Sequence, residues 1–173
     1  MIKPRRHRMN CLLLSLLLLF PALQIDAKGS FSGAVETVYP AWFKESFLNL
    51  AEDVAEAAAD GRRLLLFFYQ NGCPYCNLLV ERNLSQRDIE ETLRGNMQVV
   101  TINMFGDREV VALDGRSLTE KEFAADLRVQ FTPTLLFFDE RGAVVLRLNG
   151  YIPPQQFKLA LDKMWGHSIA SAY

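Results

Sequence analysis

The stretch Leu64-Leu65-Leu66-Phe67-Phe68-Tyr69-Gln70-Asn71-Gly72-Cys73-Pro74-Tyr75-Cys76-Asn77-Leu78-Leu79 decides how the chain is read. Residues 64–69 form a continuous apolar run, which suits a strand buried on both faces. Residues 78–82 return to a helical pattern, so the two cysteines stand where a strand turns into a helix. Pro74 fits the first helical position, because its missing N–H would have no partner there. Cys73 then takes the N-cap, facing unpaired backbone N–H groups and the positive end of the helix dipole. That setting stabilises a thiolate and lowers the thiol pKa. Cys76 follows one helical turn later on the same face, within reach of the Cys73 sulfur. The pattern points to thiol–disulfide exchange, in which Cys73 attacks and Cys76 resolves.

Two plainer roles compete. C-x-x-C is also a zinc-ligand spacing, but a closed site needs two more ligands. The one other cysteine is Cys11, and the histidines are His7 and His167. A four-ligand site would need acidic ligands that nothing in the sequence places, so no metal is expected. The pair could instead be an inert bridge, yet closing so short a loop removes little entropy from the unfolded chain.

The chain has 173 residues, half of them apolar and 23% charged, enough for one domain with a real core. Its start is unusual. Lys3, Arg5, Arg6 and Arg8 precede a run from Leu12 to Phe20 that is apolar except for Ser15. Ala27 offers the small residue that signal peptidase requires, so residues 1–27 read as a secretory signal peptide with an apolar run too short to span a membrane comfortably. An uncleaved membrane anchor is the alternative. Cleavage after Ala27 would shift the net charge from −1 to about −4 and leave Cys73 and Cys76 as the only cysteines. No Lys/Arg run remains, which argues against nucleic acid as a partner. The expected location is the periplasm, an oxidising compartment, with no stable membrane association after cleavage.

Residues 28–40 carry Gly29, Ser30, Ser32 and Gly33 without a clear period and read as a linker. A single domain follows over residues 41–166, with residues 167–173 as a tail. Helical spacing over residues 42–60 (Phe43, Phe47, Leu50, Val54, Ala57) predicts a first helix ended by Gly61. The cysteine helix is expected to run to about Asn83. Ser85 is expected to cap a second piece from Gln86 to Leu93, with Asp88 completing an imperfect capping box. Met97 to Asn103 reads as a strand rich in β-branched residues. Asp114-Gly115 marks a small hairpin, and Thr119-Glu120-Lys121-Glu122 is a capping box opening a helix to about Leu127. Residues 135–138 and 143–148 pair as a hairpin across Asp139-Glu140-Arg141-Gly142. Pro153-Pro154 opens a last helix with Phe157, Leu161 and Trp165 at four-residue spacing. The fold class is α/β: a mixed central sheet flanked by helices on both faces, with an N-terminal helix and a small inserted hairpin.

On Cys73-Pro74-Tyr75-Cys76 after a buried strand, Thr132-Pro133 before the penultimate strand and the Gly150 region before the last helix, the chain resembles the thioredoxin superfamily. The resemblance spans residues 42–165. More narrowly, Thr-Pro-Thr-Leu-Leu-Phe-Phe-Asp (residues 132–139) is similar to exported bacterial thioredoxin-like proteins, including those associated with sulfur oxidation. The resemblance implies a cis Pro133 against the cysteine pair, with Thr132 offering its backbone to an extended substrate. Tyr75 and Tyr151 are further candidates to line that groove. Two departures stand out. Thioredoxin proper carries a buried Asp six residues before the first cysteine, where this chain has Phe67. Glu81 is then a candidate proton acceptor. Pro74-Tyr75 is the dipeptide of glutaredoxins, but no basic residues adjoin it to hold glutathione carboxylates.

The expectation is an exported thiol–disulfide oxidoreductase that needs no cofactor, because the cysteines carry the electrons. Its partners would be protein thiols and disulfides. A reductase in an oxidising compartment would also need an upstream membrane electron donor. Isomerase, oxidant and cysteine-dependent client-binding factor remain open alternatives.

Overall fold

The structure is a computed structural model that describes residues 36–166. The expected signal peptide, most of the expected linker, the tail, Cys11, His7 and His167 lie outside the described residues.

The chain runs α1 (Leu50–Ala59), β1 (Arg63–Tyr69), α2 (Pro74–Leu79), a π-helical segment (Val80–Leu84), α3 (Arg87–Asn96), β2 (Met97–Asn103), β3 (Glu109–Val111), β4 (Ser117–Thr119), α4 (Glu120–Asp126), β5 (Thr134–Phe138), β6 (Val144–Asn149) and α5 (Pro154–Met164). The four-stranded sheet has the order β2-β1-β5-β6. β1 pairs parallel with β2 and antiparallel with β5, and β5 pairs antiparallel with β6. β3 and β4 form the separate small hairpin, turning at Gly115 with φ 82°.

Alternation along the strands divides the core in two. Leu64, Leu66 and Phe68 of β1 face one side with Val100, Ile102, Leu136 and Phe138, covered by α1, α4 and the β3–β4 hairpin. Leu65 and Phe67 face the other with Val99, Leu135 and Phe137, covered by α2, α3 and α5 through Leu79, Ile89, Leu93, Phe157 and Leu161. Both cysteines belong to this second layer. Residues 64–68 are all buried, as a central strand with helices on both faces requires.

Three local expectations need correction. The first helix begins at Leu50, not near Trp42. Leu48 adopts φ 64°, which breaks any helix through it, and the Asn49 side chain accepts the Glu52 N–H as the true cap. Phe47, counted on the inner face, is 100% exposed. The end is as read: Gly61 adopts φ 68°, and the N–H groups of Gly61 and Arg62 return to the carbonyls of Ala58 and Ala57. Second, the cysteine helix passes into the π-helical segment rather than continuing as regular helix. Third, Ser85 does not cap α3. Its hydroxyl donates back to the Glu81 carbonyl, Gln86 holds the N-cap position, and α3 runs on through Asn96. The Thr119/Glu122 capping box is present with both reciprocal bonds.

Upstream of α1, residues 36–40 lie against the sheet layer that holds the cysteines. Thr37 is buried, and the Tyr39 ring meets Phe67 at 5.5 Å and Tyr69 at 5.2 Å. The packed unit thus starts before Trp42.

Candidate active site

Gly72 turns the chain from β1 into α2. Its φ of 67° is open to glycine at no steric cost. Asn71 beside it accepts a 3.4 Å hydrogen bond from the Asn103 amide, which ties the turn to the end of β2. Cys73 follows in extended conformation (φ −76°, ψ 104°) as the N-cap of α2, with Pro74 at the first helical position. The Cys76 backbone N–H donates to the Cys73 sulfur at 3.1 Å, the geometry of a side chain capping its own helix. Cys73 and Cys76 are joined as a disulfide, with their Cα atoms 5.2 Å apart.

Thr132 completes the contact set. Its Oγ1 lies 3.3 Å from the Cys73 sulfur. The bonded sulfur carries no hydrogen, so the hydroxyl donates. The Thr132–Pro133 peptide bond is cis. The Pro133 carbonyl accepts the Gly150 N–H at 2.7 Å, which holds this edge against the turn after β6. Cys73 therefore receives two hydrogen-bond donors. No such bond to the Cys76 sulfur occurs among the described residues.

Exposure does not separate the two sulfurs, since Cys73 is 1% exposed and Cys76 0%. Around them, Tyr75 (58%) and Phe131 (62%) present their rings to solvent, and Tyr151 is half-buried. Beneath them, Phe67 is fully buried within an aromatic group with Tyr39 and Phe43. Burial pushes the Tyr39 phenol well above its usual range, with the nearby Thr37 hydroxyl opposing this. A cavity of about 160 Å³ beside the motif is lined by Thr37, Tyr39, Tyr69, Asn71 and Gly72 among others. A larger recess lies under residues 43–48 along the β2 edge and includes neither cysteine.

Glu81 sits exposed on the π-helical segment, and no contact joins its carboxylate to either sulfur. The buried carboxylates among the described residues are Asp53 and Glu120. Asp53 is engaged by Lys44 and Ser46, and Glu120 by Asn103 N–H and Arg108. No group of three or more metal-ligating side chains occurs among the described residues. No helix among them is long and apolar enough to cross a membrane.

The structure thus brings Cys73, Cys76, Thr132 and Pro133 together, sets Tyr75 at the rim and leaves Glu81 apart. Sequence reasoning assigned Thr132 a backbone role and missed its hydroxyl contact. It also missed Asn83, which is fully buried on the segment following α2. The signal was present: Asn83 lies seven residues after Cys76, a polar residue on the apolar face that Leu79 and Val80 continue.

The family description "Thioredoxin-like domain" matches residues 50–165. The chain belongs to the thioredoxin-like family. It is similar in structure to a thioredoxin from Thermus thermophilus, with 28% identity and a TM-score of 0.52 over 68% of this chain and 84% of that one. A thioredoxin-fold protein from Helicobacter pylori gives 23% identity and a TM-score of 0.53 over 70% of this chain and 82% of that one. A structure titled DsbH oxidoreductase gives 16% identity and a TM-score of 0.51 over 79% and 89%. These last two speak for the fold alone. No curated protein matches by sequence. The domain match and the Cys73–Cys76 disulfide together support a thiol–disulfide oxidoreductase.

Proposed function

We propose that the chain is an exported protein-disulfide reductase that works through Cys73 and Cys76, similar to the periplasmic thioredoxin-like proteins associated with sulfur oxidation. The reduced Cys73 thiolate attacks one sulfur of a substrate disulfide. A Cys73–substrate mixed disulfide forms and the second substrate sulfur leaves as a thiolate. Cys76, deprotonated, then attacks the Cys73 sulfur. The Cys73–Cys76 disulfide forms and the first substrate sulfur leaves. The substrate gains two electrons and takes up two protons, and the protein is oxidised. A dithiol donor, delivered across the membrane if the protein is exported, must return it to the reduced form. Thr132 and Pro133 would shape the substrate groove, with Tyr75 at its rim.

The observation that carries this reading is the capped disulfide at the α2 N-terminus, with two donors on Cys73 and, among the described residues, none on Cys76. Those donors stabilise the reduced thiolate and so raise the potential somewhat. Along the chain no cation adjoins them: Tyr75 between the cysteines cannot carry positive charge, and the next basic residue after Cys76 is Arg82. The potential is therefore expected nearer thioredoxin's, about −270 mV, than a strong oxidant's, about −120 mV. Redox titration of the protein against dithiothreitol and glutathione buffers tests this. A value above about −150 mV would sink the reductase reading and favour disulfide formation. N-terminal sequencing of protein from its native host tests export. A start near Lys28 supports it, and retained Met1 in a membrane fraction replaces it with an anchored form.

A further inference from the structure

Asn83 is fully buried, yet only half of its amide is used. Nδ2 donates to the Ile152 carbonyl at 3.0 Å, while Oδ1 is buried with no partner. A leucine would fill the same space without an orphaned oxygen. A buried, half-satisfied amide contributes little net stability, so its worth lies in the geometry it imposes.

That geometry closes a ring of contacts around the disulfide. Thr132 Oγ1 touches the Cys73 sulfur, and Pro133, next in the chain, accepts the Gly150 N–H. Two residues beyond Gly150, Ile152 accepts from Asn83. Asn83 stands on the π-helical segment continuous with α2, which carries Cys76. Residues 150–152 are thus held from two sides, by the cis-proline edge and by the cysteine helix. Gly150 turns the chain there at φ 72°. Just beyond, Pro153 and Pro154 supply no N–H donors of their own. The π-helical segment widens the helix where Asn83 reaches inward, a feature that recurs at functional sites.

We propose that Asn83 is a positioning residue that holds the turn at residues 150–152 against the cysteine helix. It thereby sets the gap between the Thr132–Pro133 edge and Cys76 into which an extended protein substrate fits. This rests on the reading of the site as a dithiol that exchanges with protein disulfides. A small disulfide needs only the sulfurs, whereas a protein chain needs the groove beside them. Loss of Asn83 therefore discriminates between the two kinds of substrate.

The test uses the full chain with Asn83→Leu, and Asn83→Ser as a second variant too short to reach Ile152. Hydrogen exchange reads the bracket without any turnover. The Gly150 amide should exchange about tenfold faster in both variants relative to the Phe67 amide of β1. Unchanged Gly150 protection in both overturns the proposal. Turnover reads the consequence. With each protein pre-reduced and freed of dithiothreitol, the variants' single-turnover reduction of insulin should fall about tenfold relative to their reduction of dithiobis(nitrobenzoate). An unchanged ratio, with a wild-type protein that reduces both, also overturns it. A wild-type protein that reduces neither defeats the functional reading instead, and Gly150 protection still decides whether Asn83 holds the turn.

Discussion

Thr132→Val is the most informative single change at the sulfurs. Valine keeps nearly the shape of threonine and removes the hydroxyl that lies 3.3 Å from the Cys73 sulfur. In the oxidised protein that hydroxyl donates to a neutral sulfur, a bond worth about 0.5–1.5 kcal/mol at most. In the reduced protein above the Cys73 pKa it donates to a thiolate, and a hydrogen bond to a charged group is worth about 1.5–3 kcal/mol. The difference, about 1–1.5 kcal/mol, favours the reduced state in the wild type. Removing it makes the protein harder to reduce. At about 30 mV per 1.4 kcal/mol, the potential should fall by about 20–30 mV. Below the Cys73 pKa both states present neutral sulfur, so the shift should shrink as pH is lowered. Thr132→Ser keeps the hydroxyl and should stay near the wild-type value. The assay is equilibrium titration of all three proteins against dithiothreitol at several pH values. A rise in potential on Thr132→Val, or equal shifts for the valine and serine variants, would refute the assignment of the hydroxyl as donor to Cys73.

Cys76→Ser should accumulate stable mixed disulfides with protein substrates, because the resolving sulfur is gone, while Cys73→Ser should accumulate none; non-reducing gels read both, and trapping by Cys73→Ser would reverse the roles. At the α4 cap, backbone and side-chain hydrogen bonds from Thr119 hold the Glu122 carboxyl below its usual range. A depressed carboxylate contributes stability above its unfolded pKa, about 4, and loses it as pH falls through the lower folded value. Thr119→Ala should therefore be less stable than wild type near neutral pH, and the gap in urea midpoint should narrow below about pH 4. A gap that stays constant into strong acid would count against it.

Much of the fold was legible because its signals are local. The apolar run of β1, the Asp114-Gly115 turn, the Thr119–Glu122 box and the double proline before α5 each state their structure in a few residues. The errors came where periodicity continued past the element. Phe43 and Phe47 keep helical spacing with α1, but Leu48 in the left-handed region ends it, and no sequence pattern announces a leucine there. Phe43 instead joins Tyr39 and Phe67 in the layer beneath the cysteines. The π-helical segment shifts the register by about one residue, which a short window reads as ordinary helix. At the site, the cysteine pair and Thr132-Pro133 were visible as residue types. The Thr132 hydroxyl contact and the Asn83–Ile152 bond were not, since each joins segments more than fifty residues apart.

The replacement of an acid by Phe67 can now be placed physically. Odd-numbered residues of β1 face the layer that holds both sulfurs, so the side chain at position 67 forms part of the wall behind them. That wall is aromatic, and it disfavours negative charge on whichever sulfur lies deepest. The two buried carboxylates among the described residues, Asp53 and Glu120, stand on α1 and α4, which pack the opposite face of the sheet, and each is held by a cation. Neither is placed to accept a proton from Cys76. Hydrogen bonds to Cys73 offset part of the cost that this wall places on charge at either sulfur, and Cys76 has no such bond among the described residues. The asymmetry fits the proposed order of attack, in which Cys73 opens the substrate disulfide and Cys76 resolves the mixed disulfide.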